Sequence, residues 1–134
     1  MKKLFVALAM ILSLPAMAEW KTVGWANDEP VVAIDYDRTF NSNGITYTWF
    51  KDFTMKNLES TKYRGYRLMS VTRIKINCTN RTASREYVNT ILVKDFFNTT
   101  DVRYDSEPWT GNPPFSPQEI GSVGEFIVDV ICKK

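Results

Sequence analysis

Tyr66-Arg67-Leu68-Met69-Ser70-Val71-Thr72-Arg73-Ile74-Lys75-Ile76-Asn77-Cys78 alternates apolar and polar side chains over most of its length. A period of two puts Tyr66, Leu68, Ile74, Ile76 and Cys78 on one face of an extended strand, and Arg67, Arg73 and Lys75 on the other. The segment therefore predicts a half-buried β-strand whose apolar face ends in a cysteine pointing toward whatever covers the sheet.

The same period extends on both sides. Ile45, Tyr47 and Trp49 share one face, with Thr46 and Thr48 on the opposite one. Just upstream, Asn41-Ser42-Asn43-Gly44 is a turn signal, because Asn and Gly tolerate positive φ, and it joins the second and third strands as a hairpin. The candidate strands are residues 20–26, 31–37, 45–53, 66–78, 85–97 and 100–105. Short strands separated by turn-like segments predict one antiparallel sheet of about six strands.

Near the C-terminus the period changes. Val123, Phe126, Ile127, Val130 and Ile131 recur at helical spacing and form the apolar stripe of an amphipathic helix. Ser122 followed by Glu125 is a capping box, so the helix starts there and runs to Lys133 and Lys134, whose charges suit its negative end. Gly124 opposes this reading by about 1 kcal/mol. The expected class is α+β, with the C-terminal helix laid on one sheet face. Pro108, Gly111, Asn112, Pro113, Pro114 and Pro117 predict a loop before the helix, with Trp109 and Phe115 packed against the core.

The chain has 134 residues, enough for one domain, with 17 Lys+Arg against 15 Asp+Glu. Residues 1–18 carry the three parts of a secretory signal: Lys2 and Lys3, the apolar run Leu4 to Leu14, and Ala16-Met17-Ala18 after Pro15. That run is shorter than the roughly 20 residues a membrane-spanning helix needs. Removal of residues 1–18 leaves a domain of residues 19–134 with no net charge. Residue 19 is Glu, so the signal is not followed by a lipid-anchor cysteine, and the expected location is periplasmic or extracellular. In an oxidising compartment two cysteines without C-x-x-C spacing read as a disulfide, and with only two the pairing is Cys78 to Cys132.

The composition argues against an enzyme. There is no His for base chemistry or metal ligation, and no G-x-S-x-G, phosphate-loop or H-E-x-x-H motif. The carboxylate groupings Asp28-Glu29, Asp35 with Asp37, and Asp105 with Glu107 read as solvated strand edges, with no third ligand specified for a metal. No catalytic residue, metal or cofactor is expected.

Charge distribution is more informative. Lys62, Arg64, Arg67, Arg73, Lys75, Arg81 and Arg85 follow one another with no acid among them, whereas Asp95, Asp101, Asp105, Glu107, Glu119, Glu125 and Asp129 face only Arg103. A neutral chain is thus polar, and its basic face of Lys62, Arg64, Arg67, Arg73 and Lys75 either meets an acidic partner or pairs with acidic neighbours within the fold. Nucleic acid is not an expected partner, since no recognition motif is present.

Trp20, Val32-Ala33-Ile34-Asp35, Gly44-Ile45-Thr46-Tyr47-Thr48-Trp49, Ile76-Asn77-Cys78 with Arg81, and Gly121-Ser122-Val123-Gly124-Glu125 through Cys132 together give a further pointer. In their order they resemble the surface-adhesin protein E family, small exported bacterial proteins with an antiparallel sheet and one C-terminal helix. The resemblance covers nearly all of residues 19–134. It implies adhesion through contact with host extracellular-matrix proteins, or with acidic glycans met by the basic face. The alternative is a periplasmic structural or regulatory protein, such as an inhibitor of an exported enzyme, that uses the fold only as a scaffold.

Overall fold

The computed structural model describes residues 19–53, 67–93, 103–104 and 107–133; the signal segment, Lys62 and Arg64 lie outside them. Strands β1 (Trp20–Ala26), β2 (Glu29–Ser42), β3 (Ile45–Phe53), β4 (Arg67–Asn77) and β5 (Thr82–Val93) are joined in sequence order into one antiparallel sheet. The two-residue connections Asn27-Asp28 and Asn43-Gly44 have positive φ at both positions (52° and 65°, then 53° and 82°). That is the backbone of a type I′ hairpin, whose twist matches the flanking strands. The second of these turns is the one Asn41 to Gly44 foretells.

Strand β2 is longer than its alternation predicts, because it absorbs a bulge. Asp35 lies opposite Trp49 and Phe40 opposite Tyr47, so residues 36–39 all bulge out against Thr48. Thr39 pins the bulge: its hydroxyl donates to the Asp35 carbonyl at 2.8 Å and lies 2.7 Å from Thr48 Oγ1.

The sixth place in the sheet is filled in pieces. Strand β6 (Arg103–Tyr104) pairs with Leu92 and Ile91 of β5, β7 (Trp109–Thr110) with Val88 and Tyr87, and Ser116 bridges to Ala83. Residues 103–104 and 109–116 therefore return along one edge of β5 with the register slipping between pieces. Pro108, Pro113 and Pro114 lack the N–H that an unbroken ladder needs, so they interrupt the edge strand instead of excluding it. The expectation of a plain loop here is corrected accordingly. Trp109 and Phe115 are also not packed into the core; they are 48% and 37% exposed. From the sheet's outer edge the Trp109 ring folds back over Gly111, where a Cβ would meet it at 2.6 Å.

Helix α1 (Val123–Cys132) covers one face of the sheet. Its Ile127 and Val128 close a core with Val32, Ile34, Phe50, Ile74, Ile76 and Ala83. The helix start is capped as Ser122 and Glu125 foretell, with one shift: Ser122 Oγ accepts from the Glu125 N–H at 3.2 Å, while Glu125 Oε1 accepts from the Gly121 N–H at 3.2 Å, the Ser122 N–H going to the Glu119 carbonyl. Gly124 has a packing reason, since a Cβ there would sit 2.3 Å from Gln118 Oε1 and 3.1 Å from Arg85 Nη2. The Cys78–Cys132 disulfide ties the end of the helix to the end of β4, and Arg81 pairs with Asp129 beside it.

A second apolar cluster lies on the other side of the sheet. Ala33, Phe53, Met69, Ile91 and Val93 are buried there, with Trp20, Val31 and Val71 packed against them. The face that alternation reads as exposed is thus apolar over part of its area. Among the described residues no helix is long and apolar enough to cross a membrane.

Candidate binding surfaces

Of the expected basic face, the three described residues, Arg67, Arg73 and Lys75, do share one face of β4. Their neighbours divide them. Arg67 and Arg73 are six residues apart, roughly 20 Å along a strand, and the buried Met69 lies between them. Arg67 Nη1 is 3.4 Å from Glu29 Oε2, and its guanidinium lies 3.9 Å from the centre of the Phe53 ring. Arg73 Nε is 3.2 Å from Glu86 Oε2, while Lys75 Nζ is 3.7 Å from Glu86 Oε1 and donates to Asn112 Oδ1 at 2.6 Å. The single carboxylate reaches both cations because Glu86 is the extra residue of a bulge: Arg73 pairs with Tyr87 and Ile74 with Arg85. The fold thus meets the basic strand with acidic neighbours, but two cations on one carboxylate leave a local positive excess.

Register builds a second feature that the sequence reading did not reach. Trp20, Asp35, Trp49, Arg73 and Tyr87 lie directly opposite one another across five successive strands. Asp35 is fully buried in this row, accepting the Asp37 N–H at 3.1 Å and pairing with Arg38. The Arg38 guanidinium is thereby held 4.8 Å from the Trp49 ring centre and 5.7 Å from that of Trp20. Trp49 meets Tyr87 edge-on at 5.4 Å, and next to the row Phe40 and Tyr47 stack at 5.0 Å, with Arg73 5.9 Å above Tyr47. Cations set against aromatic faces are mutually stabilising, which favours this arrangement of the row before any partner arrives. Phe40 is 53% exposed at its margin. A sequence signal existed in Tyr47 and Trp49, two residues apart, but only strand pairing shows which cations stand over them.

The carboxylate groupings are resolved as well. Asp35 is occupied by Arg38, Asp37 is exposed in the bulge, Asp28 sits in a turn and Glu29 pairs with Arg67. Asp105 lies outside the described residues. Among the described residues no three acids, cysteines or histidines come together in a way that holds a metal ion.

On the helix side, a cleft of about 490 Å³ opens between the start of α1 and the ends of β1, β2 and β3. It exists because the row above it carries little bulk: Gly24 lies opposite Val32, Val32 opposite Asp52, and Asp52 opposite Ser70. Trp25, Val31, Val123 and Phe126 supply its apolar walls, and Asp52 is its one ionisable lining residue among those described. Burial pushes the Asp52 carboxyl up from 3.8 to about 6, against the opposing pull of Arg85. Nothing in the sequence singles out Asp52, which sits in an ordinary alternating strand.

An open antiparallel sheet with one disulfide-tethered helix, an aromatic and cationic row on one side and an apolar cleft on the other defines the molecule structurally. No family model matches the chain, and no curated protein or solved structure matches it.

Proposed function

We propose that the chain is an exported, non-enzymatic binding protein of surface-adhesin E type, which holds a host extracellular-matrix protein against the sheet face opposite the helix. The observation that carries this reading is the row Trp20, Asp35, Trp49, Arg73 and Tyr87, with Arg38 fixed between two tryptophans. Binding energy concentrates in ordered aromatic and arginine side chains, because they bury much area with little loss of freedom. The local excess of Arg73 and Lys75 over Glu86 adds attraction for acidic patches on such a partner, including acidic glycans attached to it. The absence of His from the chain and the signal-like residues 1–18 support the same reading.

Immobilised matrix proteins offered to the purified domain test it. Arg73→Gln, and Phe40→Ser combined with Tyr47→Ser, should each weaken capture about tenfold or more, as expected for truncating interface anchors. Melting temperature controls for folding. Capture that both variants leave undiminished sinks the proposal and leaves the periplasmic structural or regulatory role as the better account.

A further inference from the structure

Asp52 stands where burial disfavours its charge. Its carboxylate makes no hydrogen bond or ion pair among the described residues, although it lines an otherwise apolar cleft. Desolvating an ionised carboxylate without a partner is unfavourable, so such a group either is kept for a ligand or is a liability. The charged groups around it do not complete it. Arg85 of β5 acts on Asp52 from beyond ion-pair range, and is placed instead over the Phe50 ring and against Gly124. The partners of Asp52 in β2 and β4 are Val32 and Ser70, which bring no charge. Arg67 and Glu29 pair with each other.

The neighbouring helix start does not make the cleft an anion site. Ser122 Oγ is engaged by the Glu125 N–H, and the Gly121 N–H by the Glu125 carboxylate, so the first turn is capped by its own residues and its positive end is already met by an acid. What remains is a carboxylate with no partner among the described residues, set among apolar walls, with two large aromatic side chains, Trp25 (62% exposed) and Phe126 (37% exposed), reaching solvent beside it. Gly24 is part of this shape: a Cβ there would lie 3.4 Å from Phe126 Cε2. A negative charge with aromatic faces is complementary to an ammonium group carried on a hydrophobic body.

We propose that this cleft binds a small hydrophobic amine, its ammonium set against the Asp52 carboxylate and its apolar body held between Trp25 and Phe126. A volume of about 490 Å³ lies within the range of small-molecule sites, which combine apolar walls with a few placed polar groups. The site lies on the helix side of the sheet, away from the row that carries the adhesin reading, so either can fail alone.

The experiment uses phenylbutylammonium as the probe, with the neutral phenylbutanol and the anionic phenylbutanoate as its matched analogues. Binding to the intact domain is followed by calorimetry and by the indole N–H resonance of Trp25. Near neutral pH the ammonium should bind about tenfold tighter than the alcohol, and the carboxylate weakest, from one charge-assisted contact with cation–aromatic support. Asp52→Asn should erase the preference for the ammonium and leave the alcohol unchanged, whereas Phe126→Ala should weaken both. Binding should also lower the titration midpoint of Asp52, because a cation favours the ionised form. Equal binding of ammonium and alcohol, a preference that survives Asp52→Asn, tightest binding of the carboxylate, or no binding of the ammonium at millimolar concentration would each overturn the proposal.

Discussion

Replacing Asp52 by Asn should make this protein more stable, in a pH-dependent way. In the folded chain the carboxyl titrates near 6, against an ordinary value of 3.8, because burial disfavours its charge more than Arg85 favours it. Between those two values the folded state holds a proton that the unfolded state releases. Stability therefore falls as pH rises through this window and is level on either side of it. A displacement of about two pH units, at about 1.4 kcal/mol each, corresponds to about 3 kcal/mol between the plateaus. Asn mimics the protonated acid and has no such transition. Wild type and variant should be equally stable below about pH 4, and the variant ahead by about 2–3 kcal/mol above about pH 7, or about 10 °C in melting temperature for a domain of this size. Urea denaturation of both proteins at stepped pH measures the difference, in which other carboxyls cancel. A difference that does not change with pH would refute the reasoning. So would a wild type that is the more stable at neutral pH, since Arg85 would then outweigh burial.

Three further outcomes follow from the same contacts. Reducing the Cys78–Cys132 bridge, which spans 54 residues of sequence, should destabilise the fold by about 4 kcal/mol in the chain-entropy treatment; thiol labelling of the native protein would contradict the bridge. Arg38→Ala leaves the buried Asp35 without its charged partner, so a loss of about 1–3 kcal/mol and a changed near-ultraviolet signal from Trp20 and Trp49 are expected; an unchanged melt and spectrum would show that the stack is not held by this pair. Ser122→Ala removes the helix cap and should lower stability by about 1 kcal/mol in thermal melts, while Ser122→Thr, which keeps the hydroxyl, should lower it less.

A residue expected to lower stability at working pH is informative about function, since local rules are broken mainly where a site needs it. Among the described residues, Asp52 breaks the rule that a desolvated charge has a partner. Asp35, seventeen positions earlier, obeys it: the same residue type is fully buried, yet Arg38 and the Asp37 N–H satisfy it. Position alone does not separate the two, because both fall in alternating strand segments.

Two strands, 20–26 and 45–53, agree with the alternation end to end, and the Ser122 start of the helix and the cysteine pairing agree as well. These are local properties. Side-chain period, a capping pair and the φ preferences of Asn and Gly act over a few residues, and two cysteines allow one pairing. What local pattern could not supply is where strands slip against one another. The four-residue bulge after Asp35 lengthens β2, the bulge at Glu86 brings Arg73 and Lys75 to one carboxylate, and prolines break the edge strand that holds Trp109 outside the core. Both candidate surfaces depend on those registers. The row from Trp20 to Tyr87 exists because five strands align those positions, and the cleft exists because Gly24, Val32 and Ser70 come level with Asp52. The sequence by itself determined the α+β class, the helix cap and the disulfide, because each is written in neighbouring residues or forced by count. Only the tertiary structure decided which of the described charges are paired and which are not, because pairing is a matter of distance between strands remote in sequence.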